Sequence, residues 1–237
     1  LSVENKSSAA LQALASILVS AMIGIAIYGA FIWAPNEKTM GFLQRIFYFH
    51  AASGQVMILA FSIVFIGNVC YLLRRKPEWD WLATSAVEVG LVFNTISLVT
   101  GPIWAKPAWG IWWDWDARLT STFVLWILYI AYLLLRRLIE NPERRAVVSS
   151  VFGVFAFLDV PLVYFSIWWW RTQHPPPLIF KPGGLSPEML KVFMFTMASL
   201  SALMVIMIWQ RYKLESLRHT VEELKIEAEY RNDGGAR

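Results

Sequence analysis

The 30 residues SSAALQALASILVSAMIGIAIYGAFIWAPN, positions 7–36, contain no Lys, Arg, Asp or Glu. About 20 consecutive apolar residues wound into a helix cross the hydrocarbon core of a bilayer, so this stretch is long enough to span a membrane. A second run, IFYFHAASGQVMILAFSIVFIGNVCYLL at positions 46–73, lacks those four residue types for 28 positions. These two runs give spans at about 11–33 and 47–73. The same reading, carried outward, gives four more at about 82–100, 119–135, 146–170 and 190–209. The expected fold is all-α, a polytopic membrane protein with six transmembrane helices. Composition agrees: 57% of the 237 residues are hydrophobic and 16% charged, whereas an ordinary soluble domain carries about 25% charged residues. A soluble enzyme and a disordered chain are both excluded. The first run is too long for a signal-peptide core and lacks a clear small-residue cleavage site, so it reads as a retained span.

Span ends carry their own chemistry. Asn141-Pro142-Glu143 and Ser186-Pro187-Glu188 each place a capping side chain before a proline at the first helical position, where a missing N–H costs nothing. Gly101-Pro102 reads as the end of the third span. Of the 21 Lys and Arg residues, 14 fall on the N-terminus, the 74–81 and 136–145 connections and the C-terminal tail, and seven on the opposite set. The positive-inside rule then puts both termini in the cytoplasm. The pI near 9.2 follows from topology and anionic lipid, and no nucleic-acid role is needed. Residues 1–210 form the expected membrane domain and residues 211–237 a cytoplasmic helical tail, with His219 expected to be solvated. Within that tail Leu214, Leu217, Val221, Leu224 and Ala228 make about two heptads of a/d stripe, short of the roughly three to four that mark a coiled coil. A single cysteine, Cys70, excludes a CxxCH heme-attachment site and a CxxC redox pair, and it reads as helix filling.

The outer loops hold the candidate chemistry. The loop at about 101–118 reads GPIWAKPAWGIWWDWDAR. Nine of the 13 Trp fall on the outer side and three on the inner, whereas an interfacial belt alone predicts rough parity. Trp109, Trp112, Trp113 and Asp116 stand at i, i+3, i+4 and i+7, so a helical loop would gather them on one face; Trp115 lies in the same run. Such a face suits a large, planar, apolar ligand. His50, near the outer end of the second span, and His174, in the third outer loop, flank this loop in sequence and supply two imidazoles from separate elements. Imidazole is a common ligand of heme iron. Each histidine alone also fits a blander role, a helix-end hydrogen bond for His50 and an incidental loop residue for His174. The proline run at 175–177 would stiffen the chain after His174. Arg45 and Arg118 are the best placed partners for heme propionates, ahead of Lys106 and Arg171. Asp116 fits equally as a cap for the fourth span. Inside the spans stand Glu88, Asn94 and Asp159. Glu88 is near enough to the cytoplasmic end to be solvated, and Asp159 reads as a protonated acid bonded to a neighbouring helix.

The segment WGIWWDWDARLT, residues 109–120, resembles the tryptophan-rich "WWD" signature of heme-handling proteins in cytochrome c biogenesis. Together with six spans and one outer histidine on each side of the signature, the chain resembles the heme exporter protein C (cytochrome c maturation protein C) family over about residues 10–210. The resemblance implies a bacterial inner-membrane protein that is no enzyme. It would hold non-covalent, b-type heme at the periplasmic face, with His50 and His174 as axial ligands of the iron. Trp109, Trp112, Trp113, Trp115 and Asp116 would form the heme platform. The implied partners are a periplasmic heme chaperone (maturation protein E), an ABC-type ATPase and permease pair, and a small single-span subunit. Two rival readings stand beside it. A permease subunit of an ABC transporter for another substrate predicts an ATPase-coupling surface on an inner loop, and both inner loops here are short. A b-type electron-transfer cytochrome predicts histidine pairs within the bilayer, and the pair here lies at one surface.

Overall fold

The computed structural model describes residues 3–172, 174, 179 and 184–234. The proline run at 175–177 lies outside the described residues. Seven α-helices build six membrane-crossing elements: α1 (Val3–Tyr28), α2 (Arg45–Arg74), α3 (Pro77–Trp109), α4 (Ala117–Leu138), α5 (Pro142–Phe157), α6 (Asp159–Trp169) and α7 (Pro187–Gly234). All six are long and apolar enough to cross a bilayer, as the charge-free runs predict, and the chain is a multi-pass membrane protein. Helices are the form such runs must take in lipid, because each backbone N–H and C=O then finds a partner within its own segment.

α2 lies at the centre, antiparallel to α3 and against α5 and α7. α1 packs on α7, and α4 on α3, α5 and α6. Small residues let the central helices close up. An added Cβ at Gly90 would stand 2.6 Å from Phe61 Cε1, and the freed ring of Phe61 stacks on Tyr129 at 3.9 Å between centroids. The bundle has two chemically different ends. One, the tryptophan end, carries the 34–41 and 110–116 connections and the described residues of the link between α6 and α7. The other, the arginine end, carries the clusters at 74–76 and 136–137.

Caps form where expected. Asn141 Oδ1 accepts from Arg144 N at 2.8 Å and Ser186 Oγ from Met189 N at 3.3 Å. The third span does not end at Gly101-Pro102. α3 runs on to Trp109 with Pro102 and Pro107 inside it, and ends at Gly110 with φ 80°, where glycine bears no Cβ penalty. Each proline removes one N–H from the helix, but breaking the helix would strand several more polar groups. Pro161 acts differently: it cannot donate to the Phe157 carbonyl, and the fifth span breaks at Leu158 between α5 and α6.

Two acidic residues of α3 have ion-pair partners. Arg136 bonds Asp80 through both terminal nitrogens, at 2.6 and 2.8 Å. Glu88 takes a two-pronged bond from Arg211 of α7, so it is paired, not merely solvated. His219 packs on Trp81 at 5.2 Å between centroids and stands 3.4 Å from Glu223, so the tail meets α3 there. Leu217, Val221 and Leu224 remain exposed. Asp159 forms no salt bridge among the described residues, and its Oδ2 is buried without a hydrogen bond.

Candidate functional site

At the tryptophan end α2, α3, α4 and α6 enclose a cavity of ≈ 1560 Å³, the open space at its mouth included. Apolar side chains dominate its wall, with Phe47 and Met57 from α2, Leu98 from α3, and Val163 and Ile167 from α6. His50, in the second turn of α2, and His174, from the loop after α6, both line it. Their ring centroids are 6.3 Å apart with an interplanar angle of 35°. First-row metal–imidazole bonds measure about 2.0–2.1 Å, and an imidazole nitrogen lies roughly 1.1 Å from its ring centre. Two imidazoles on opposite sides of one metal ion therefore stand about 6.2 Å centre to centre, at any twist about the shared axis. The centroid separation of the pair is close to that of two imidazoles sharing one metal ion.

The side chains around the pair fix it from several elements. Trp104 of α3 meets the His50 ring edge-on at 5.8 Å and is itself held by Phe47 at 6.1 Å and Trp109 at 6.1 Å. Trp104 is buried and lines the cavity, yet the sequence reading did not single it out. Its signal is the spacing Ser97, Gly101, Trp104, one helix face, which becomes visible only when α3 is read on through Pro102. On the other side, Asp116 Oδ1 accepts from Leu119 N at 2.8 Å and caps α4. Asp116 Oδ2 accepts the Thr172 hydroxyl, and Thr172 Oγ1 accepts the His174 backbone N–H at 3.1 Å. The Trp-rich loop and the second histidine are thus tied through one carboxylate.

The structure brings His50, His174, Trp109, Trp113 and Arg118 to the lining of one cavity. The loop at 110–116 is not helical, so the expected single face of Trp109, Trp112, Trp113 and Asp116 does not form: Gly110 turns the chain and Asp116 begins a new helix. Trp113 lines the cavity, while Trp112 and Trp115 are not among its lining residues and are 59% and 70% exposed. Arg118, in the first turn of α4, points its charge into a largely apolar wall. Arg45 lies elsewhere. Its guanidinium donates to the carbonyls of Ala30 and Ala34 at 2.8 and 3.3 Å and to Asn36 Oδ1 at 3.0 Å, closing the end of α1 onto α2. Of the weaker cationic candidates, Lys106 donates to the Gly110 carbonyl at 2.9 Å and so locks the end of α3. In the 34–41 connection Glu37 accepts from the Thr39 and Met40 N–H groups at 2.7 and 2.5 Å. The Met40 bond above all holds that carboxyl below the ordinary carboxylate range, and it fixes the turn from which Met40 reaches the cavity.

The sequence model of the family described as CcmC, Heme exporter protein C, matches residues 3–227. The chain belongs to the heme exporter protein C family. It is 30% identical over 165 residues to Heme exporter protein C of Bradyrhizobium diazoefficiens, covering 70% of this chain and 62% of that protein. The chain thus spans somewhat under two thirds of that relative's length. The protein of the same name from Escherichia coli K12 is 32% identical over 216 residues, 90% of this chain and 87% of its own. A putative cytochrome c biosynthesis ccmC-like mitochondrial protein of Marchantia polymorpha is 33% identical over 162 residues, 68% of each. The family match runs across both histidine-bearing elements and the Trp-rich loop between them.

Proposed function

We propose that this protein binds heme at the outward, periplasmic end of the bundle and hands it to a periplasmic heme chaperone during c-type cytochrome biogenesis. The observation that carries this reading is the 6.3 Å separation of the His50 and His174 rings inside a tryptophan-lined apolar cavity. His50 and His174 are the axial ligands, and the heme is held without covalent attachment. Trp104, Trp109 and Trp113 supply aromatic surface for the macrocycle. Arg118 meets a propionate, for which a guanidinium offers a two-pronged, charge-assisted bond. Exposed Trp112 and Trp115, beside cavity-lining Trp113 in the chain, form the surface that the chaperone contacts. This chain holds and orients its cargo, and the chaperone supplies the group to which heme becomes attached. Its membrane partners are the ABC-type ATPase and permease subunits and the small single-span subunit implied by the family.

The test is the absorption spectrum of the full chain, purified in detergent and supplied with ferric heme. The wild-type chain is expected to give a six-coordinate, bis-histidine spectrum. His50→Ala and His174→Ala each lose heme and Soret intensity. Normal heme content and an unchanged spectrum in both variants would overturn the ligand assignment.

A further inference from the structure

A histidine binds a metal through a nitrogen that carries no proton, so a site must settle which of the two ring nitrogens that is. In this cavity the answer lies on α3. His50 Nδ1 stands 2.9 Å from Thr100 Oγ1. A threonine hydroxyl has one hydrogen, and that of Thr100 is donated to the Ile96 carbonyl one turn back, at 2.7 Å. With that hydrogen on Ile96, the oxygen is left to accept from a protonated Nδ1. α3 so offers His50 an acceptor at Nδ1, and the ring N–H faces α3. Gly101, the next residue, keeps the approach open, since a Cβ there would already stand 3.4 Å from His50 Cε1.

We infer that Thr100 is the positioning residue of His50: it holds the proton on Nδ1 and leaves Nε2 bare to ligate heme iron in the cavity. The inference rests on the heme-binding reading above and deepens it. A hydrogen bond to the far nitrogen also makes the ring a stronger electron donor, which favours ferric over ferrous iron. Thr100 therefore sets the redox state in which the cargo is most tightly held, as well as the orientation of the ring. Nothing in the residue type announces this, because a threonine within a membrane helix ordinarily bonds the carbonyl four residues back and no more. Thr100 makes that ordinary bond, and through it becomes a fixed acceptor.

The experiment compares Thr100→Val, Thr100→Ala and Thr100→Ser in the full chain, each supplied with ferric heme. Valine and alanine remove the acceptor, the second without added bulk at the helix junction. Serine keeps it. The first two are expected to raise the heme midpoint potential and to weaken ferric heme retention by roughly tenfold, the lower end of what a lost outer-shell partner costs. Serine is expected to restore both values. Thr95→Val serves as the structural control: Thr95 makes the same bond to Leu91 one turn back but takes the Trp126 indole N–H, not the histidine. It should leave the potential unchanged. If the wild-type chain is bis-histidine and the valine and alanine variants keep its potential and affinity, the role given to Thr100 is wrong while the heme site stands. An equal shift in Thr95→Val would also overturn it. If the wild-type chain lacks a bis-histidine spectrum, or His50→Ala leaves it intact, the underlying site itself fails.

Discussion

At the scale of single residues, Asp116 has two separable tasks. Its Oδ1 caps α4, and its Oδ2 holds Thr172, which in turn holds the His174 backbone. Asparagine is as good an N-cap as aspartate, and its carbonyl oxygen can still accept from Leu119, but its amide cannot accept the Thr172 hydroxyl. Asp116→Asn should therefore keep thermal stability in detergent while broadening or weakening the bis-histidine spectrum. Asp116→Ala should lose both, with about 1 kcal/mol of stability going with the cap. An Asp116→Asn chain with a wild-type spectrum would mean that the Thr172 tie is dispensable. Arg118 allows a second test. Hydrogen bonds to charged groups contribute about 1.5–3 kcal/mol, so Arg118→Gln should weaken heme binding by about ten- to a hundredfold. Heme dimethyl ester, which lacks propionate charge, should bind the two chains alike. The histidines, Trp109, Trp113 and Arg118 were legible in the sequence because each residue type is uncommon in its setting. Thr100 and Trp104 were not, because their meaning depends on the helix face they share, and that helix was expected to stop at Gly101.

The same contrast holds for whole elements. Runs without charge report the six spans well, because lipid leaves the backbone no alternative to the helix. Proline and glycine report ends poorly in that setting. Gly101-Pro102 lies inside α3, whereas Pro161 splits a span into α5 and α6. The consequence for the site is large. Continued to Trp109, α3 brings Thr100, Gly101, Trp104 and Trp109 along His50, and the short non-helical link at 110–116 then returns Trp113 to the cavity. The rigidity of that frame depends on how closely α2 and α3 approach. Gly90→Ala places a methyl against Phe61 at 2.6 Å, and the Phe61 ring is already stacked on Tyr129. Overpacking of this kind costs about 1–3 kcal/mol. The variant should unfold at lower temperature in detergent, and any chain that stays folded should bind heme with a normal spectrum, since Gly90 lies well along α3 from Thr100. A large spectral change at unchanged stability would show instead that helix spacing is transmitted to the histidine pair.

For the whole molecule, the open question is which end faces which compartment. The arginine end carries 14 of the 21 cationic residues, and several of them sit at helix ends. Three have close acidic partners: Arg136 with Asp80, Arg211 with Glu88 and Arg218 with Glu215. A net-charge argument would discount them. The positive-inside bias, however, counts Lys and Arg and is little affected by acidic residues, so the paired arginines still favour the cytoplasmic side. Near an anionic leaflet each cationic side chain contributes about 1 kcal/mol, enough for the excess to dominate orientation. In the proposed orientation the cavity would open to the periplasm, where a soluble chaperone would meet the exposed Trp112 and Trp115. Two exposed positions report on this. Lys38 lies in the 34–41 connection at the tryptophan end, and Glu140 lies between α4 and α5 at the arginine end. In a Cys70→Ser background, Lys38→Cys should react with a membrane-impermeant maleimide added to intact spheroplasts. Glu140→Cys should react only after the membrane is permeabilised. The reverse pattern would turn the bundle over, place the histidine pair on the cytoplasmic side, and remove the route by which a periplasmic chaperone could collect heme from it.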